Sequence, residues 1–203
     1  MARKYFGIVL VLMVAILAAS AVAQSNEVAG TIGRTFIPDQ TISSANTIHF
    51  GHGLTYEANY SHRFMNVGLF GLSVEVPFVV DPTNRLQYNV NVVPYSFKSY
   101  FVTPAVRANL FPTTAFSPWV SVGGGFGHFI PSSTLEFNST PNPGKSSTVG
   151  VFQIGGGLDV RVIGNFKIRG EIRDFYSGEP PININSKSRY SNLYAGAGVV
   201  FSF

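Results

Sequence analysis

From Leu193 to Phe203 every second side chain is apolar: Leu193, Ala195, Ala197, Val199, Phe201 and Phe203. The set between them (Asn192, Tyr194, Gly196, Gly198, Val200, Ser202) is small or polar except for Tyr194 and Val200. A period of two describes a β-strand with one apolar and one mixed face. The sequence stops on an aromatic strand residue, with no polar tail to fray into water. Such a strand belongs in a closed barrel, and the sign of the alternation then decides which solvent the barrel meets. Soluble barrels put the apolar set inside; here the whole chain favours the reverse.

Alternating segments of about ten residues recur along the chain, as a tilted strand crossing a bilayer requires. The first runs from Val28 to Phe36, and a cleaner one from Ile48 to Tyr60 sets Phe50, Leu54, Tyr56, Ala58 and Tyr60 opposite Thr55, Glu57 and Asn59. A short turn over Ser61–Asn66 leads to Val67–Val76, and Pro77–Ser96, rich in turn residues, is expected to be a loop. Phe97–Leu110 is a fourth strand despite Pro104, which costs it a ladder hydrogen bond. Trp119–Phe129 is a glycine-rich fifth. The sixth and seventh, Phe152–Val162 and Phe166–Arg173, carry their polar residues at odd numbers on both strands. Directly opposed residues must therefore sum to an even number. A three-residue loop, Ile163-Gly164-Asn165, meets that condition with Asn165 in the left-handed position, and sets Asp159 against Arg169. Eight strands result, with long connections after the odd ones and short connections after the even ones, the asymmetry of outer-membrane barrels.

Composition agrees. Only 12% of the 203 residues are charged and 14% are aromatic, with 21 glycines, whereas soluble domains are about 25% charged. Without cysteine there is no disulfide framework and no thiolate metal site. The amino terminus reads as an export signal: Arg3-Lys4, an apolar run from Phe6 to Ala18, and Ala21-Val22-Ala23 as the cleavage site. Residues 1–23 are thus expected to be removed, leaving a single barrel domain over residues 24–203. The run is too short for a helical span, which takes about 20 residues. The net charge of +4 includes Arg3 and Lys4, and the remainder is too small to indicate nucleic acid.

If the apolar faces meet lipid, the polar faces meet one another. The expected lumen holds Glu57, Glu75, Asp159 and Glu171 against Arg107, Arg161, Lys167, Arg169 and Arg173, close to neutral as a packed interior requires. Glycines at 123, 125, 127, 155, 157, 196 and 198 leave room for long arginines. Eight strands enclose space for such side chains or for one small ligand, so an ion-pair plug is expected and no open pore. The competing reading, a solvated charged face on a soluble sheet, leaves the apolar outside of every strand unexplained.

These features together resemble the eight-stranded outer-membrane barrel superfamily, of the OmpA transmembrane-domain, opacity-protein and OmpW-like type. The marks are the leader, the closing Val-Phe-Ser-Phe strand, the Pro118-Trp119-Val120-Ser121-Val122-Gly123 opening and the glycine-rich fifth and sixth strands. The resemblance implies an all-β, eight-stranded antiparallel up-and-down transmembrane barrel in a bacterial outer membrane. It implies contact with membrane lipid and lipopolysaccharide, a monomer, and recognition of Phe201 and Phe203 by the barrel-assembly machinery. The peptidoglycan-binding domain that often follows OmpA-type barrels is not expected here.

Chemistry is sparse. His49 and His52 have H-x-x-H spacing, but an odd offset on a strand sends them to opposite faces. Gly144-Lys145-Ser146 lacks both the first glycine of a phosphate loop and a following helix. Barrel lipid A deacylases use a His-x-Ser-Asn string; here it is Arg189-Tyr190-Ser191-Asn192, and arginine cannot take the serine proton. A replacement base would have to be His128. No cofactor, metal or catalytic residue is therefore expected. Two readings remain: a scaffold or surface-interaction protein working through four outer loops, and a narrow conduit or binding barrel for a small, partly apolar molecule. The apolar Phe78-Val79-Val80 and Val92-Val93-Pro94-Tyr95 segments favour the second, unless they only extend a strand beyond the membrane.

Overall fold

The computed structural model describes residues 25–43, 46–137, 140–184 and 189–203. The proposed leader, residues 1–23, lies outside them. Eleven strands form: β1 (Asn26–Phe36), β2 (Gln40–Ser43), β3 (Asn46–Phe50), β4 (Leu54–Val67), β5 (Phe70–Gln87), β6 (Ser96–Val102), β7 (Ala105–Leu110), β8 (Phe116–Pro131), β9 (Ser147–Ile163), β10 (Phe166–Ser177) and β11 (Tyr190–Ser202). No helix occurs among the described residues. All pairings are antiparallel, and the sheet closes because β1 bonds both β4 and β11. β6 and β7 together form one wall strand between β5 and β8, so the ring has eight staves. β2 and β3 stand on its rim as a hairpin that pairs with the far end of β5.

Which face is inside follows from exposure. Val120 is 64% exposed, Ile172 57% and Val199 61%, whereas Arg107 and Arg173 are fully buried. The exterior is an apolar belt and the charged residues fill the centre. No helix among the described residues is long and apolar enough to span a membrane.

Three expectations need correction. The turn after the second stave is not Ser61–Asn66: β4 runs on to Val67, and Gly68, at φ 58°, makes the turn. A bulge between Arg63 and Met65 breaks the alternation there, so the polar run imitates a turn while Ser61 and Arg63 point inward. Pro77–Ser96 is not one loop, because β5 continues through Pro77 to Gln87. Pro77 lies opposite the gap at Thr103–Pro104 that divides β6 from β7, so the missing donors of Pro77 and Pro104 fall in one patch of the ladder. Thr103 N donates to Pro77 O at 3.4 Å and Gly124 N to Pro104 O at 3.1 Å, which keeps that patch bonded. Finally, Ile48–Tyr60 is two strands. Ile48 and Phe50 are buried, but Leu54, Tyr56 and Tyr60 face out, because Gly51–Gly53 shifts the alternation. A Cβ on Gly53 would run into the Asp81 carboxylate, so only glycine lets the chain pass β5 so closely.

The β9–β10 hairpin pairs Asp159 with Arg169, as parity requires. The register is reached by other means, through a two-residue turn at Gly164-Asn165 plus a bulge at Phe166/Lys167. Gly164, not Asn165, takes the left-handed conformation, at φ 52°.

Candidate functional site

The short turns and both described termini lie at one end of the barrel, and the long connections at the other. The lumen between them has two compartments. The turn-side compartment is ionic. Glu27, on β1, accepts hydrogen bonds from Arg107 and from Lys167 Nζ (2.5 Å), and pairs with Arg63 at 3.3 Å and Arg169 at 3.7 Å. Arg169 binds Asp159 through two parallel contacts, Nε to Oδ1 at 2.7 Å and a terminal nitrogen to Oδ2 at 2.8 Å. Nearer mid-barrel, Arg173 reaches three carboxylates: Glu75 at 2.7 Å, Glu171 at 3.1 Å and Glu57 at 3.3 Å. Thr31 donates to Glu171 (2.8 Å) and so accepts from the Tyr194 hydroxyl (2.7 Å), which ties β11 into the cluster.

Trp119 is the hub of these groups. Its Nε1 donates to Asp159 at 3.2 Å, and the guanidinium carbons of Arg107, Arg169 and Arg173 stand 5.6, 5.1 and 4.8 Å from its ring. Desolvated cation–π contacts of this kind contribute about 2 kcal/mol each. Gly157, opposite on β9, gives the indole its space, since a Cβ there would meet the ring and the Gly170 carbonyl.

Eight of the nine expected lumen residues, Glu57, Glu75, Arg107, Asp159, Lys167, Arg169, Glu171 and Arg173, thus meet in linked ion pairs. Arg161 departs from that expectation. It sits at the turn-end mouth, its N–H bonded to Ala115 O at 2.8 Å, and makes no ion pair among the described residues. Its ladder partner on β10 is Lys167, a second cation. Glu27 and Arg63 were missed in the sequence reading. Glu27 precedes the first apolar residue of its strand, but it has the parity of Thr31 and Thr35, and that signal could have found it.

The loop-side compartment is apolar. Phe101 stacks on Phe175 at 4.9 Å, and an aromatic chain runs from Phe101 through Phe129, Phe97 and Phe50 to Tyr190 at centroid spacings of 5.7 to 6.4 Å. Val79 and Val93 join this core while Phe78 and Tyr95 face outward, so the two apolar segments, Phe78-Val79-Val80 on β5 and Val92-Val93-Pro94-Tyr95 after it, are divided between belt and plug. Above the plug the four connections brace one another. Asn89 donates to Asn46, the Tyr88 amide to Glu136, the Phe137 amide to Asn91, and Asn183 to both Val92 O and Asn142. The Tyr95 and Glu136 amides complete the join between the second and third connections.

The two histidines and the serine string each find partners apart from one another. His49 bonds Asp39 at 2.6 Å and His52 packs on Phe36, each exposed, because the break at Gly51–Gly53 separates them. Ser191 donates to Asp174 (2.8 Å), Arg189 lies over the Tyr176 ring, and His128 bonds Thr148. At the far end of β11, Phe201 packs on Phe166 and Phe203, and Phe203 exchanges both backbone hydrogen bonds with Asn26.

No protein-family model and no curated protein sequence matches this chain. Solved structures do. The outer membrane protein OprG of Pseudomonas aeruginosa superposes with a TM-score of 0.60 at 8% identity, covering 88% of this chain and 95% of its own. Neisserial surface protein A gives 0.54 at 14% identity, covering 88% and 97%. The N-terminal β-barrel domain of Pseudomonas aeruginosa OprF gives 0.50 at 14% identity, covering 89% and 98%. The chain has the fold of the eight-stranded outer-membrane barrels. Its exposed apolar belt forms the outer face of that barrel.

Proposed function

We propose that this protein is an integral barrel of a bacterial outer membrane that works as a surface-interaction protein or membrane scaffold. Its long connections face the outside and its short turns the periplasm. The observation that carries this reading is the braced platform over a closed lumen. Four connections held together by side-chain and backbone hydrogen bonds present one preorganised face, and preorganisation is what lets a loop surface bind without a large ordering cost. The filled lumen supports a non-conducting barrel, with ion pairs on one side and stacked phenylalanines on the other. The pairing of Ser191 with Asp174 supports a structural and not a catalytic serine. Arg34, Lys98 and Arg189, all exposed and on the outward parity at the loop end, suit the phosphate groups of anionic lipid such as lipopolysaccharide.

The absence of cysteine gives a direct test. Lys145→Cys, on the third connection, should react with a membrane-impermeant maleimide on intact cells, and Thr113→Cys, in a short turn, only after lysis. Labelling of both, or of Thr113→Cys alone, refutes the orientation. Planar-bilayer recordings of the folded chain should show no unitary conductance. Stable channel steps would favour the conduit over the surface role.

A further inference from the structure

The charges of the lumen are unevenly divided along its axis. Toward the turn end five cations, Arg63, Arg107, Arg161, Lys167 and Arg169, stand with two acids, Glu27 and Asp159. The acids are in surplus nearer mid-barrel, where Arg173 faces Glu57, Glu75 and Glu171, and Arg107 reaches Glu75 at only 3.6 Å. The uncompensated positive charge therefore falls on the two guanidiniums nearest the mouth. Arg63 has one contact, at 3.3 Å, to a carboxylate it shares with three other cations. Arg161 has no ion pair among the described residues. The Nε atoms of both are buried and make no hydrogen bond there.

Both arginines line an open cleft of about 510 Å3, together with Ser25, Asn66 and Thr113. That volume is within the range of small-ligand sites. Gathering two guanidiniums around part of one shared counter-charge is unfavourable, and an oxyanion between them offsets the cost while engaging their forked N–H donors. We infer that the turn-end mouth is a binding site for the phosphate or carboxylate group of a small solute, held between Arg63 and Arg161. The Ser25 and Thr113 hydroxyls and the Asn66 amide supply neutral donors around it. The inference does not depend on what the loop platform binds.

The folded full chain in detergent micelles, titrated with inorganic phosphate and separately with acetate at ionic strength held constant by sodium chloride, tests this. The readout is the arginine Nε–H resonances. The expected result is a saturable shift confined to Arg63 and Arg161, with the tighter of the two probes identifying the preferred group. Arg161→Gln breaks no ion pair and should weaken binding about tenfold or more, the worth of one charge-assisted hydrogen bond. Arg161→Lys, which keeps the charge and loses the fork, should fall between. Shifts reproduced by chloride alone, or an Arg161→Gln variant that titrates like the parent, would overturn the assignment.

Discussion

Glu27→Gln removes one charge from a carboxylate that four cations share, and keeps the side chain's volume. In the parent, Lys167 lies 2.5 Å away, Arg63 3.3 Å and Arg169 3.7 Å, with Arg107 in direct hydrogen bond. Glutamine cannot accept from all of them, and its amide adds donors facing guanidiniums. Asp159 is then the one acid left on the turn side. Breaking a buried ion pair by deleting one partner costs about 3–5 kcal/mol, a large share of a typical stability of about 5–15 kcal/mol. Lys167→Met made on the Glu27→Gln background should recover part of the loss, since it removes a cation that has lost its acceptor. Urea unfolding from lipid vesicles measures both. The single tryptophan, Trp119, is buried in this cluster and reports its exposure to water. A Glu27→Gln midpoint within about 1 kcal/mol of the parent, or no coupling with Lys167→Met, would show that the network is solvated and the reasoning wrong.

Other outcomes follow from single positions. Gly157→Ala drives a methyl group into the Trp119 ring and should cost about 1–3 kcal/mol by the same unfolding assay, while Gly150→Ala, with open space around its Cβ, should be neutral. Gly164→Val forces a β-branched residue into the left-handed turn at φ 52°; a loss of about 1–2 kcal/mol is expected, and unchanged stability would mean the turn can relax. Burial raises the Asp39 carboxyl, but the hydrogen bonds from His49 and the Phe50 amide outweigh it and hold the group below its ordinary value. A depressed value adds stability above the unfolded-state value and loses it as the pH falls through the folded one. Amide protection in the β2–β3 hairpin, relative to the intrinsic exchange rate at each pH, should therefore fall below about pH 4, and Asp39→Asn should abolish that dependence.

The staves were legible because lipid outside and charge inside impose one rule on every strand, and a rule with period two survives weak individual signals. Parity alone placed Asp159 opposite Arg169, although the turn that delivers this register differs from the one expected. Legibility failed where the rule is interrupted. The bulge at Arg63–Met65 made a strand look like a turn. The shifts at Gly51–Gly53 and Asp81–Asn84 send Ile48, Phe50 and Leu86 inward, so the aromatic plug could not be separated from the belt by counting. Glu27 was hidden because apolar residues define a strand's beginning to the eye, and it comes one place earlier. The role of Trp119 depends on three arginines from two other staves, a meeting that only closure of the ring creates.

The braced platform has a consequence for the order of events during biogenesis. Its clasps join residues far apart along the chain, Asn183 to Val92 across 91 positions and the Tyr88 amide to Glu136 across 48. In the proposed orientation, none can fasten until every hairpin concerned has been delivered to the far side of the bilayer. The connections therefore travel as slack thread and are knotted together only on arrival, which makes the crown the last part of the molecule to set.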